Sequence, residues 1–161
     1  MKKALLVLLM ITTSLTYAQE KFTIGGGGGG ITLDNNAGYN FNLFANYDVW
    51  KGLGVGVDAW MANVEDTDFL ALHLVAELRD TFEFNLGSAD FGVGSFIGPG
   101  LIHMKIDELD ETKDYFSFLV GINVDYKMTP NWRLGTRLGN HFSHKDLGTV
   151  LTANLFLSYS F

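Results

Sequence analysis

The sequence contains no cysteine and only two prolines among its 161 residues. Without cysteine it can form no disulfide and carry no lipid on a cysteine, so its stability must come from packing, hydrogen bonding or a bilayer. It also lacks a convincing amphipathic helix and a long linker. Charged residues make up only 18% of the chain, whereas glycine occurs 19 times. Such use of glycine is typical of crowded or bent strands rather than helices.

The first 18 residues have the order of features found in a secretory signal peptide. A short basic region precedes an apolar run over residues 4–11, and Ala18 is the small residue at the cut. The apolar run is too short to span a bilayer as a helix. We therefore expect residues 1–18 to be removed on export, leaving one domain over residues 19–161. An uncleaved anchor or a buried N-terminal helix is the alternative.

The expected mature segment is acidic, with 18 acidic and 9 basic residues and a formal net charge of −9. This balance disfavours a nucleic-acid partner, which needs a basic surface. The acidic residues 107–111 lack the glycine and the ligand spacing of an EF-hand. The six glycines at 25–30 lack the lysine, the hydroxyl and the following helix of a phosphate-binding P-loop. We expect no metal and no cofactor.

Eight runs of alternating apolar and polar residues fill the segment, and the last one places Leu155, Leu157, Tyr159 and Phe161 on one face. A period of two is typical of strands with one buried face. Most runs reach the roughly 9 to 11 residues that a tilted strand needs to cross a membrane. An even number of such runs predicts an all-β fold, an eight-stranded antiparallel up-and-down transmembrane barrel. The runs cover residues 20–33, 39–49, 53–62, 69–79, 91–106, 115–128, 132–142 and 147–161.

The two faces of the runs differ in chemistry. One face is apolar and uncharged, whereas the other is rich in glycine and asparagine with few charges. A soluble exterior carries about 25 to 35% charged residues, so we expect the apolar face to contact lipid. A soluble, exported, lipocalin-like ligand-binding barrel with an apolar cavity is the alternative. Aromatic residues also suggest two interfacial girdles: Trp50, Tyr126, Trp132, Tyr159 and Phe161 at one level, and Tyr39, Phe69, Phe116 and Phe142 at the other.

Four acids and four bases fall on the polar face. Because unpaired charges in a narrow lumen are costly, we predict a salt-bridge network that fills the barrel and blocks flow. Eight strands leave room only for side chains, which argues against an open porin. A gated narrow conduit is the alternative. His73, on the same face, is expected to form hydrogen bonds in the lumen. The predicted network comprises Asp48, Asp58, Glu77, Arg79, Asp125, Lys127, Arg133 and Arg137.

An even number of strands places both termini on one side, which we take as the periplasm. The outer loops would then be residues 34–38, 63–68, 107–114 and 143–146, and they hold ten acidic residues against Lys113 and Lys145. Solvation accounts for these acids. Divalent cations bridging to anionic lipid headgroups, or repulsion of anionic ligands, are the functional alternatives.

Three features carry a resemblance to a known family: the eight runs, the tight turns at 49–53 and 127–132, and the ending Tyr159-Ser160-Phe161. The whole expected mature chain resembles the small outer-membrane β-barrel proteins of the OmpA membrane-domain and OmpX type. The resemblance implies a monomer in a Gram-negative outer membrane, surrounded by its lipids. It implies that Tyr159 and Phe161 form the signal read by the barrel-assembly machinery. The implied role is non-enzymatic: structural, envelope integrity or surface interaction.

An enzymatic alternative rests on His141 and Ser143, near the outer end of the seventh run. The pair resembles the His-x-Ser element of PagL-like outer-membrane lipid A deacylases, in which histidine would be the general base and serine the nucleophile. Two departures weaken the resemblance. His144 stands where asparagine is expected, and no glutamate follows to orient the histidine. Parity also places His141 inside, with Arg137.

Overall fold

The computed structural model describes residues 22–34, 36–50, 52–106, 111–143 and 149–161. Each strand pairs antiparallel with the next, and the last pairs with the first, so the sheet closes into an eight-stranded barrel. This confirms the predicted architecture. The predicted signal peptide lies outside the described residues. The strands are β1 (Phe22–Leu33), β2 (Asn36–Trp50), β3 (Leu53–Val64), β4 (Thr67–Leu86), β5 (Ala89–Ile106), β6 (Glu111–Lys127), β7 (Trp132–Ser143) and β8 (Thr149–Ser160).

Two of the predicted outer loops are shorter than expected. Residues 36–38, 63–64 and 67–68 are strand, so the turns there centre on Asp34 and Glu65, which both have positive φ. Residues 111–114 also lie in a strand, and residues 107–110 and 144–148 are outside the described part of the chain. These residues were assigned to loops because their side chains are polar. A strand end outside the bilayer needs no apolar face, so polar residues can continue the strand there.

Strand β4 extends past the fourth predicted run, which covered residues 69–79, and continues to Leu86. The register shifts between Leu78 and Phe82, and the added residues return Phe82 to the outer face. Three residues of β4 lie there opposite one residue of β5, so β4 carries two extra residues and then continues in the ladder. The hairpin then turns at Gly87, whose φ of +67° is in the left-handed region. The hairpin therefore extends past the neighbouring β2–β3 turn.

The glycine-rich strand β1 allows the barrel to close. A Cβ on Gly27 would lie 2.0 Å from the carbonyl oxygen of Leu155, a distance that no side chain tolerates. At one end of this seam the hydroxyls of Thr23 and Ser160 lie 2.8 Å apart. The backbone N–H of Phe161 donates to the carbonyl oxygen of Phe22, 2.8 Å away. We call this the near end of the barrel, and the end with the β1–β2 and β3–β4 turns the far end.

The outer surface carries the apolar face and an aromatic group at the near end. Trp132 and Tyr159 have ring centroids 4.9 Å apart, and Tyr159 and Phe161 have centroids 4.8 Å apart. Phe69, predicted in the girdle at the far end, points inward and is 3% exposed. That assignment was wrong because the outward residues of β4 before its bulge are even-numbered, from Asp68 to Leu78.

Inside the barrel, the far half is an apolar core. The prediction of a polar lumen is wrong for this half, because alternation identifies the inward face of a strand and says nothing about polarity at each level. Trp60 and Phe69 pack in this core with ring centroids 6.3 Å apart. Its buried members are Ile31, Trp60, Ala62, Val64, Phe69, Ala71, Ile102, Met104 and Val150.

Candidate functional site in the barrel lumen

The eight charged residues predicted for the lumen all lie on the inner face of their strands. The structure divides them among three groups of contacts rather than one continuous network. One group lies at mid-height around Arg137, and the other two lie towards the near end around Arg79 and Arg133. No basic side chain in these groups lacks a carboxylate partner.

The Arg137 cluster, formed by Arg137, Asp58, Glu77, Phe44 and Phe96, occupies the middle of the lumen. Nη2 of Arg137 lies 2.9 Å from Oδ2 of Asp58, and Nη1 lies 3.6 Å from Oε1 of Glu77. The guanidinium carbon is 3.7 Å from the ring centroid of Phe96 and 4.7 Å from that of Phe44. The five residues come from five strands, so their side chains meet across the barrel.

Amide side chains complete the partners of Glu77. The Nδ2 group of Asn123 donates to Oε1 at 3.0 Å, and the Nδ2 group of Asn46 donates to Oε2. A buried carboxylate needs this saturation, since the desolvation penalty of an ion pair is offset only when its remaining lone pairs are also bonded. The asparagines of the inner face thus supply hydrogen-bond donors to a buried carboxylate. Their abundance was visible in the sequence, but this role was not.

The second group ties β1, β2 and β4 together through Arg79. Nη2 of Arg79 lies 3.0 Å from Oδ1 of Asp48. Its Nη1 donates to Oγ1 of Thr23 at 2.6 Å. Because Thr23 is also in contact with Ser160, the Arg79 contacts reach the seam where the barrel closes.

The third group, at the near end, centres on Arg133. This guanidinium contacts both oxygens of Asp80, at 2.8 and 2.9 Å, and donates to Oδ2 of Asp125 at 3.0 Å. Lys127 lies 3.4 Å from Asp80 and also contacts Glu83. The sequence analysis missed Asp80 because the bulge after Leu78 turns this even-numbered residue inward. It missed Glu83 because the fourth predicted run ended at residue 79.

A neutral polar layer separates the Arg137 cluster from the apolar core. Nε2 of His73 lies 2.7 Å from Oγ of Ser117, which agrees with the predicted lumen hydrogen bond. The ring of His141 lies 5.2 Å from that of His73 and 4.7 Å from that of Trp60, measured between centroids. Between this layer and Arg137 there is a cavity of about 10 Å³, which is room for about one water molecule.

His141 and Ser143 do not form the pair that a deacylase requires. His141 is 1% exposed, and its Nε2 lies 3.4 Å from Oγ1 of Thr152. Among the described residues, nothing forms a hydrogen bond with the buried Oγ of Ser143. Both side chains face the lumen, where a membrane lipid has no access. Nor do the described residues include a group of three or more histidines and acids placed to hold a metal ion.

The exterior of the barrel is suited to a bilayer rather than to water. Leu43, Leu74 and Leu155 are each between 64% and 68% exposed. Large apolar side chains are exposed on all eight strands, whereas a soluble surface rarely carries a continuous apolar patch. The lipocalin-like alternative, which requires the apolar face inside, is therefore wrong. No helix among the described residues has the length and apolar character needed to cross a membrane.

Comparisons with known proteins place this fold. No protein-family model matches the chain, and no curated protein matches it. Among solved structures, Neisserial surface protein A (NspA) matches with 16% identity and a TM-score of 0.57, covering 87% of this chain and 95% of that one. The N-terminal β-barrel domain of OprF from Pseudomonas aeruginosa matches with 11% identity and a TM-score of 0.61, covering 88% and 98%.

A third neighbour is Ail, the attachment invasion locus protein of Yersinia pestis. It is 18% identical, with a TM-score of 0.52, and the match covers 89% of this chain and all of that chain. Identities this low establish the fold alone. The chain has the fold of the small outer-membrane β-barrels, and with its apolar exterior it is a protein of the outer membrane.

Proposed function

We propose that the protein is a closed, non-enzymatic barrel of the outer membrane, whose lumen passes neither ions nor solutes. The observation that carries the proposal is the Arg137 cluster, in which one guanidinium is held by two carboxylates and two phenyl rings from facing walls. An eight-stranded barrel has no further space around such a group.

The apolar core makes a second barrier in series with the first. Trp60 is 2% exposed and Ile102 is fully buried. An ion crossing this half would have to shed its water among mostly apolar side chains, which is costly. The gated-conduit alternative would need the Arg137 cluster and the apolar core to rearrange together.

A closed lumen leaves the exterior and the outer segments to carry the function, as a structural, envelope-integrity or surface-interaction protein. The Yersinia pestis neighbour has also been solved with the heparin analogue sucrose octasulfate. The predicted outer segments of this chain carry ten acidic residues and two lysines, so they would repel a sulfated polyanion. Surface contacts of this protein are therefore expected to favour neutral or basic partners.

Conductance across a planar bilayer tests the closed lumen. The refolded protein should give no reproducible current steps, and neither should Lys113→Ala, a surface control. The double variant Arg137→Ala with Phe96→Ala should stay closed, because the apolar core remains. Adding Trp60→Ala opens that core as well, so the triple variant should conduct. A steady ohmic conductance of the wild type would reject the proposal.

A mass spectrum of lipid A tests the absence of deacylation. Cells expressing the wild type and cells expressing Ser143→Ala should give the same lipid A masses. Loss of one acyl chain that depends on Ser143 would establish the enzymatic alternative instead.

A further inference from the structure

Three polar side chains line the small cavity in the middle of the lumen, and each has a buried atom without a partner. The side chains are Asn42, Trp60 and Asn154, and the cavity measures about 10 Å³. Among the residues that the structure describes, none forms a hydrogen bond with Nε1 of Trp60 or with Oδ1 of either asparagine. A buried polar group without a partner is unfavourable. Three such groups around one cavity indicate a ligand that all three share.

The glycines of β1 leave the space in which the three side chains meet. Gly27 pairs in register with Asn42 of β2, and Gly29 pairs with Asn154 of β8. Both glycines lie on the inner face of β1, in alternation with the buried Ile31. Strand β1 therefore contributes no side chain between the two asparagines, and a bridging ligand can lie against its backbone.

The donors and acceptors around the cavity select the ligand. The indole N–H of Trp60 can only donate a hydrogen bond, whereas the carboxamide oxygens of Asn42 and Asn154 can only accept one. An anion would lie against the two oxygens, and a cation would lie against the N–H group. A water molecule accepts one bond and donates two, so it satisfies all three atoms at once. The cavity also has the volume of about one water molecule.

We propose that this cavity binds one ordered water molecule, which accepts from Nε1 of Trp60 and donates to Oδ1 of Asn42 and of Asn154. Buried waters with about three polar partners are fixed parts of a protein structure. This water would join β8 to β2 and β3 from inside the lumen, where β1 between them has only glycines. It would thus link the strands on both sides of the closing seam.

The other residues around the cavity keep the water in place. Phe96 and Leu119 supply buried apolar walls. Arg137 and Asp58 also line the cavity, but they pair with each other at 2.9 Å. Because the Arg137 cluster lies on one side and the apolar core on the other, the water should exchange slowly with bulk solvent. The proposal goes beyond the closed lumen: a barrel that neither conducts nor holds this water would retain the proposed function and lose only the water site.

Nuclear Overhauser spectroscopy between water and the indole N–H groups tests the proposal. The chain has three tryptophans, so the isotope-labelled, refolded protein gives three indole signals, and Trp60→Phe identifies that of Trp60. This N–H should give a cross-peak with the sign of a water that tumbles with the protein. Trp50 and Trp132, which are exposed on the outer surface, are internal controls that should contact only mobile water. If Trp60 gives no water cross-peak, or one with the sign of mobile water, the proposal is wrong.

The hydroxyl group of Thr152 requires a control of its own. It also lines the cavity, and because its proton exchanges with solvent it can relay a water signal to Trp60. Thr152→Val removes the hydroxyl and keeps a branched side chain. The Trp60 cross-peak should persist in this variant. Its loss would assign the signal to the hydroxyl and overturn the bound water.

Asn154→Leu tests the bridge itself. Leucine removes one acceptor and occupies the space, so the water cross-peak of Trp60 should disappear. Asn140→Leu is the matched control, because Asn140 lies on the outer face of β7 and does not line the cavity. Heat-modifiable gel migration identifies the folded variants, and Asn42→Leu replaces Asn154→Leu if the latter does not fold. A folded Asn154→Leu or Asn42→Leu barrel with an undiminished cross-peak would contradict the proposed bridge.

Discussion

Arg137 lies over the ring of Phe96 in the middle of the lumen, with its guanidinium carbon 3.7 Å from the ring centroid. The same guanidinium lies 2.9 Å from a carboxylate oxygen of Asp58. Its side chain is 3% exposed, so water contributes almost nothing to its solvation. The ring face and the carboxylates together take the place of that water.

Arg137→Ala is therefore expected to be strongly destabilising. It leaves Asp58 and Glu77 buried without their cation, which typically costs about 3 to 5 kcal/mol. Urea-induced unfolding in lipid vesicles measures the change in the free energy of unfolding. The exposed pair of Lys113 and Glu111 provides the comparison, and Lys113→Ala should change stability by less than about 1 kcal/mol. Equal stability of Arg137→Ala and wild type would show that the pairing of Arg137 with Asp58 and Glu77 does not stabilise the barrel.

Arg133→Lys should be less stable than the wild type although the charge is retained. A lysine cannot contact both oxygens of Asp80 and also reach Asp125, because it lacks the planar fork of the guanidinium. We expect a loss of about 1 to 2 kcal/mol, smaller than for Arg137, since the Arg133 side chain is 15% exposed. The same unfolding measurement applies. Asp80→Asn should give a comparable loss if the bidentate contact is the cause.

Gly27→Val should prevent closure of the barrel. Its Cβ would lie 2.0 Å from the carbonyl oxygen of Leu155, and backbone atoms cannot move aside as a flexible side chain can. Gly30→Ala is the matched control on the same strand, because its Cβ would meet nothing nearer than 3.9 Å. Gel migration before and after heating reports the folded fraction. Folding of the valine variant at the wild-type level would mean that β1 and β8 are less closely packed than described.

Phe161→Ala should reduce the amount of folded protein in cells more than it reduces refolding in vitro. Phe161 contacts the rings of Tyr159 and Phe22 at 4.8 and 6.0 Å between centroids, so its removal has a modest structural cost. If Phe161 is also the assembly signal, its removal lowers the amount of folded protein further, and this second effect occurs only in cells, where the assembly machinery is present. Comparing membrane-fraction abundance with the refolding yield separates the two contributions. Parallel losses in both would leave Phe161 a purely structural residue.

Much of the fold could be predicted because successive residues of a strand point to opposite faces, so alternation in the sequence identifies the two faces directly. The same pattern identified the eight charged lumen residues correctly as inward-facing. It failed at Asp80, which faces inward only because of the bulge between Leu78 and Phe82, and it missed Glu83, which lies beyond the fourth predicted run. Alternation also could not separate the apolar core around Trp60 from the charged half below it.

The pairing of the charges was beyond prediction for a different reason. Arg137 on β7 meets Asp58 on β3, two strands that are not neighbours in the sheet. Such a contact depends on how far each strand is displaced along the next around the whole ring, and that displacement is set by the sum of seven hairpins and the closing seam. The whole sequence determines this displacement, but no single motif indicates its value.

The seam between β1 and β8 has a consequence for the order of biogenesis. Thr23 and Ser160, which meet there, are separated by 137 residues. Contacts over such a distance form late, because the entropy of closing the intervening chain is lost before they stabilise anything. Until β8 arrives, β1 presents an open edge whose run of glycines has no side chains to shield it from other strands. The same residues that permit tight closure therefore leave the unclosed barrel open to mispairing at β1.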